Sequence, residues 1–136
     1  MADTVIQEER FEYKGLPCVV LFLSPGYRCG YVGLPEDDVI DTDGISCHGG
    51  ITYSAFDLRF QDDTDRYWIG FDCCHCFDDY DVEKAKEVFA DDEFTMDLIE
   101  HHTKMKYHVG NNFRTLDYVK DECKKIVDQY LEMRDE

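Results

Sequence analysis

The stretch Cys18-Val19-Val20-Leu21-Phe22-Leu23 decides the fold, because it is a continuous apolar run of strand length with turn signals on both sides. Lys14-Gly15-Leu16-Pro17 precedes the run, and Ser24-Pro25-Gly26 follows it. Both connections are short enough for hairpins, so we expect antiparallel strands over residues 4–13 and 27–33 on either side. Since both faces of the 18–23 strand are apolar, we expect it in the interior of the sheet.

Two more strands are predicted further along the chain, at residues 47–60 and 66–72. Gly49-Gly50 predicts an irregularity in the first of them, and a turn at residues 62–65 joins the pair. Residues 35–44 are rich in Asp and Glu and are predicted to form an acidic surface loop.

After residue 81 the apolar residues recur at helical spacing. Residues 82–90 and 93–102 predict short helices, and residues 115–134 predict a helix of about five turns. The stripe of this last helix consists of Leu116, Val119, Cys123, Ile126, Val127, Tyr130 and Met133. We therefore expect one α+β domain over residues 1–136: an antiparallel sheet of about five strands, a long C-terminal helix packed on one face, and short helices at the edge.

The charge of the chain limits its partners. With 14 Lys and Arg against 31 Asp and Glu, the net charge is −17, which repels nucleic acids and anionic membranes. The sequence has no apolar run of about 20 residues and no secretory signal pattern. Seven cysteines, an odd number, are typical of reduced thiols. We expect a cytoplasmic protein without direct nucleic-acid or membrane contacts. Whether the chain forms a homo-oligomer is left open by the sequence.

Residues 47–54 and 67–78 hold most of the chemically unusual side chains. If their strands pair, Gly50 and Gly70 leave a recess on the sheet surface that can receive a ligand. Helix packing on the sheet uses glycine in the same way, and this alternative stays open. The predicted ligand-binding residues are His48, Gly49, Gly50, Thr52, Tyr53, Trp68, Asp72, His75, Asp78 and Arg114.

The same stretch contains metal-ligand types, although nothing in the sequence requires a cofactor. His48, Asp72, His75 and Asp78 form a candidate site for a divalent metal with open positions. The spacing Cys73-x-x-Cys76, with Cys47 and His48, leaves a zinc site as an alternative. Side chains of these types at turns also cap backbone groups, which is the structural interpretation.

Three segments resemble a group of small proteins encoded by bacteriophages and prophages. They are Cys47-His48-Gly49-Gly50-Ile51-Thr52-Tyr53-Ser54, Gly70-Phe71-Asp72-Cys73-Cys74-His75-Cys76-Phe77-Asp78 and Arg114-Thr115-Leu116-Asp117-Tyr118-Val119. Cys74, Cys76 and Phe77 depart from the pattern of this group, which shifts the metal-ligand hypothesis to the histidines and aspartates. The resemblance implies a protein that acts on the machinery of a bacterial host.

The favoured prediction is a phage-encoded binding protein that antagonises host defence by sequestering a nucleotide-like small molecule. Trp68 or Tyr53 would stack on the base, and Arg114 or Lys106 would meet phosphate. Lys104, Lys106, Arg114 and the nearby histidines form a basic patch that suits an anion. One alternative is a metal-dependent phosphoesterase, so whether the chain is an enzyme stays open. Another is an acidic inhibitor that mimics nucleic acid and binds a host defence protein.

Overall fold

The structure is a computed structural model that describes residues 4–58, 66–75 and 78–134. Within these residues the chain forms a five-stranded antiparallel sheet and three α-helices, which confirms the α+β prediction. The strands are β1 (Val5–Tyr13), β2 (Leu16–Leu23), β3 (Tyr27–Pro35), β4 (Tyr53–Ala55) and β5 (Arg66–Asp72). The helices are α1 (Val82–Val88), α2 (Glu93–Met105) and α3 (Leu116–Arg134), and a 3₁₀ turn lies at Thr42–Gly44.

The order of strands across the sheet is β1-β2-β3-β5-β4. β1 and β2 form a hairpin in which Tyr13 lies opposite Leu16, so Lys14 and Gly15 are the two loop residues. Both have positive φ, +50° and +84°, as a type I′ turn requires. β2 pairs with β3 on its other side, which confirms the interior position predicted from its apolar run.

The long helix α3 covers one face of the sheet. On β5, Tyr67, Ile69 and Phe71 belong to the core under α3, whereas Trp68 belongs to the core of the opposite face. This alternation is the one that a strand imposes on successive side chains. The buried residues of α3 all come from the predicted stripe: Val119, Cys123, Ile126, Val127 and Tyr130.

The shorter helices pack at another part of the same face. Phe22 of β2 stacks on Phe89, with ring centroids 5.7 Å apart, in a cluster that includes Ala85 and Ile99. Since Phe22 lies four residues after Cys18, which packs under α3, strand alternation puts both on one face. The three helices therefore share one side of the sheet.

Two predicted elements differ from the structure. The strand predicted at residues 47–60 is limited to Tyr53–Ala55, and residues 59–60 lie outside the described chain. The strand is shorter because Gly49 and Gly50 have φ of +71° and +81°, which no strand adopts. The helix predicted at 93–102 extends to Met105 and ends at Lys106 in the left-handed conformation.

Candidate ligand and metal site

A turn at residues 47–50 brings one histidine into the protein. The amide of Gly50 donates to the carbonyl of Cys47 at 3.0 Å, and His48, within the turn, is buried. A side chain on Gly49 would place its Cβ 2.3 Å from the Cε1 atom of His75. Glycine at this position thus allows both the positive φ and the close approach of the second imidazole.

Asp78 is fully buried, with 0% of its surface exposed, and it lies at the centre of a group of polar side chains. Its Oδ2 atom lies 2.9 Å from Nε2 of His48, 3.0 Å from Nδ1 of His75 and 3.1 Å from the backbone nitrogen of His75. The Nε atom of Arg114 donates to its Oδ1 atom at 3.0 Å. One buried carboxylate therefore organises two histidines and an arginine, which we call the Asp78 cluster.

The charges of this cluster follow from its contacts. Burial alone would raise the pKa of Asp78, but hydrogen bonds from His48, Arg114 and His75 outweigh it and lower the pKa. The hydrogen bond to Asp78 raises the pKa of Arg114. The carboxylate is therefore ionised at neutral pH and is compensated by the guanidinium.

The ionised carboxylate fixes the protons on the imidazoles, since it can only accept hydrogen bonds. His48 donates through Nε2 and His75 through Nδ1. In neutral His48 the Nδ1 atom then accepts, and the hydroxyl of Tyr118 donates to it at 2.9 Å. The sequence marks Tyr118 only as part of the segment that begins at Arg114, and its role depends on a contact across 70 residues of chain.

The backbone next to Asp78 is held by the segment before α3. His108 donates from Nδ1 to the carbonyl oxygen of Asp78 at 2.6 Å, and the amide of Asp79 donates to the carbonyl of Asn112 at 3.1 Å. Asp79 also forms a parallel bridge with Phe113. These bonds position Arg114, two residues before α3, beside the buried carboxylate.

Asp72 and Thr52 lie at the edge of the Asp78 cluster. Asp72 accepts hydrogen bonds from the amide of Cys74 at 3.0 Å and from the hydroxyl of Thr52 at 3.2 Å, as a turn cap does. Its Oδ1 atom is 3.9 Å from Nε2 of His75. Among the described residues, the group with metal-ligand geometry comprises His48, His75 and Asp78, and it does not include Asp72.

The predicted recess between Gly50 and Gly70 is not formed. A Cβ atom on Gly70 would lie 2.4 Å from Cδ1 of Tyr31, whose ring covers this position from β3. Trp68 is 0% exposed, so its ring cannot stack on a base. The hydroxyl of Tyr53 donates to the carbonyl of Asp57, and its ring meets that of Tyr31 edge-on. Gly70 therefore makes room for the ring of Tyr31 on the neighbouring strand, which is neither the predicted ligand recess nor the helix packing left open as its alternative.

The cysteine-based zinc hypothesis gains no support from the described residues. Burial raises the pKa of Cys47 to about 11 and raises that of Cys73 further above its usual range. Neither thiol belongs to the group of described residues whose ligand atoms lie close enough together to hold a metal ion. Cys76, the other predicted ligand of that site, lies outside the described residues.

A polar surface cleft of about 520 Å³ lies beside the backbone of Asp78, and we call it the Tyr107 cleft. Its lining residues are Asp79, Lys106, Tyr107 and His108. Tyr107 is 54% exposed, and the ring of His108 lies 5.0 Å from that of Tyr80. The predicted basic patch thus divides, since Lys106 lies in the cleft whereas Arg114 pairs with Asp78.

Within the described part of the chain, no helix has the length and apolar character needed to cross a membrane. The chain was compared with protein-family models, with curated proteins and with solved structures, and none of them matches it. The resemblance to phage proteins therefore stays a prediction.

Proposed function

We propose that this protein binds a nucleotide-like small molecule in the Tyr107 cleft, and that it antagonises host defence by sequestering this molecule. The observation that supports the proposal is an exposed aromatic ring next to two basic side chains. Tyr107, Lys106 and His108 line one cleft on a chain whose net charge is −17. The host-defence role rests on the resemblance of the sequence to phage proteins.

The cleft offers a surface for the base. Tyr107 keeps more than half of its surface exposed, at 54%. Stacking of a nucleobase on an aromatic side chain contributes about 1–3 kcal/mol, with little dependence on the identity of the base. Tyr107 takes the role that the sequence assigned to Trp68 or Tyr53.

The cleft also offers groups for phosphate and sugar. Lys106 supplies a positive charge, and His108 is held in one orientation by its hydrogen bond to the carbonyl of Asp78. Asp79 accepts a hydrogen bond from the amide of Asn112 at 2.8 Å, and its carboxylate can accept further bonds from sugar hydroxyls. The acidic surface elsewhere repels phosphate, so we expect an anion to bind only at such local cations.

The experiment is incubation of the purified protein with a bacterial nucleotide extract, followed by washing, heat denaturation and mass analysis of the released molecules. An intact nucleotide-like molecule is the expected result. Release of hydrolysed product instead would indicate a phosphoesterase. Recovery of neither ligand nor product would overturn the proposal and favour the acidic surface as the functional part.

Matched variants locate the binding. Tyr107→Ala should weaken retention about 5-fold to 150-fold, as expected from the loss of one stacked base. Phe94→Ala is the control, since Phe94 is 70% exposed on α2 and is not one of the residues that line the cleft. Lys106→Asn removes the positive charge, and asparagine tolerates the left-handed backbone at this position. Lys104→Asn is its charge-matched control. Equal retention by all four variants would contradict binding in this cleft.

A further inference from the structure

We propose that His48, His75 and Asp78 bind one divalent ion of the zinc class, through Nε2, Nδ1 and Oδ2 respectively. This inference is independent of the nucleotide proposal, because it uses other residues and its test requires no nucleotide. Two imidazoles and one carboxylate are a ligand set typical of zinc and neighbouring transition metals. Magnesium and calcium prefer oxygen ligands, so they do not fit this set.

The distances between the candidate ligand atoms support the binding of an ion. Nε2 of His48 and Nδ1 of His75 lie 2.9 Å and 3.0 Å from Oδ2 of Asp78. One ligand atom from each of His48, His75 and Asp78 lies within 4.8 Å of the other two. Ligands at about 2.0–2.1 Å from a tetrahedral ion are roughly 3.3–3.4 Å apart, so the two separations from Oδ2 need to grow by only a few tenths of an ångström.

The surrounding side chains orient the ligands as they do in metal sites. The Tyr118 hydroxyl contacts Nδ1 of His48 at 2.9 Å, and Arg114 donates to Oδ1 of Asp78 at 3.0 Å. These outer contacts hold His48 and Asp78 so that the other polar atom of each side chain faces the centre of the group. The Arg114 charge repels a cation, and the net charge of −17 on the chain opposes this effect at longer range.

The backbone leaves room for the ligands, and the site is buried on one side. Gly49 allows the ring of His75 to lie where a Cβ atom would clash at 2.3 Å. The side chains of His48 and Asp78 are 5% and 0% exposed, whereas that of His75 is 26% exposed. An ion can therefore enter beside His75 and keep a position for water.

Binding of the ion moves protons without changing their number when both imidazoles are neutral. His48 gives up the proton on Nε2 and takes one on Nδ1, which then donates to the oxygen of Tyr118. His75 gives up the proton on Nδ1 and takes one on Nε2, whose distance from Oδ1 of Asp72 is 3.9 Å. Water carries each proton from one ring nitrogen to the other, and the metal–nitrogen bonds replace two hydrogen bonds to Asp78. Because protons compete with the ion for the imidazoles, acid should weaken its binding.

The test is calorimetric titration of the full chain with Zn²⁺ after treatment with a chelator. We expect one tightly bound ion per chain, and His75→Gln should weaken it at least about tenfold. His101→Gln is the matched control, since His101 is exposed on α2 and lies outside the ligand group. Cys74→Ser tests for adventitious binding at an exposed thiol.

Thermal unfolding in chelator shows whether His75→Gln still folds. If it does not, Tyr118→Phe decides, because it leaves all three ligands in place and should still weaken the ion about 10-fold to 100-fold. Failure of the unsubstituted protein to bind Zn²⁺ would overturn the proposal. So would equal affinity in the normal chain, His75→Gln and Tyr118→Phe, or loss of the ion only in Cys74→Ser.

Discussion

Replacing Gly49 by alanine tests whether the turn at residues 47–50 is shaped around His75. Gly49 has φ of +71°, and a left-handed backbone costs an alanine about 1–2 kcal/mol. The added Cβ atom would also lie 2.3 Å from Cε1 of His75, and overpacking of this kind costs about 1–3 kcal/mol. We therefore expect Gly49→Ala to lower the free energy of unfolding by about 2–5 kcal/mol.

Gly50→Ala is the matched control in the same turn. Gly50 has φ of +81°, but its added Cβ atom would meet nothing within 4 Å, so only the backbone cost of about 1–2 kcal/mol applies. Urea unfolding followed by the fluorescence of Trp68, the single tryptophan, measures both variants. With a slope of about 2 kcal/mol per molar urea, the midpoints should differ by about 1 M. Equal midpoints would refute the packing of His75 on Gly49.

Two further predictions concern buried charges. Glu8→Gln should cost at most about 3–5 kcal/mol in urea unfolding, because it removes one of the two carboxylate partners of Arg28, whose side chain is 5% exposed, and leaves only Asp81. Glu100→Gln should cost only about 0–1 kcal/mol, because its pair with Lys104 is solvent-exposed, and similar losses in the two variants would contradict this. Because the pKa of folded Asp78 is below the usual 3.8, its carboxylate contributes stability that is present above that pH and lost below it. Asp78→Asn should therefore flatten the fall in stability below pH 4, and an unchanged slope in acid unfolding would disprove this linkage.

The sequence predicts the sheet and α3 well, because both rely on local periodicity. It does not predict which face α3 covers, since both faces of β2 are apolar. On the face that α3 covers, Gly30 leaves room for close packing, since a Cβ atom there would lie 2.6 Å from Phe71 and 2.8 Å from Cys123. The importance of this glycine depends on strand register and on the position of the helix, neither of which is visible in the sequence.

The Asp78 cluster was predicted only in part. Motif composition selects His48, His75 and Asp78, and the structure brings them together. Arg114 was predicted to meet phosphate, but it pairs with a carboxylate 36 residues away. Such a long-range ion pair leaves no periodic signal. The sequence does not identify Tyr107 as a binding residue either, because that role depends on the exposed cleft around its ring.

The proton positions on the histidines test the account most directly, because an ionised and buried Asp78 dictates them. Nitrogen-resolved NMR of the metal-free protein, at a pH where the imidazoles are neutral, reports which ring nitrogen carries each proton. We expect protons on Nε2 of His48, Nδ1 of His75 and Nδ1 of His108. A proton on Nε2 of His75, or rapid exchange between its two tautomers, would contradict the Asp78 cluster.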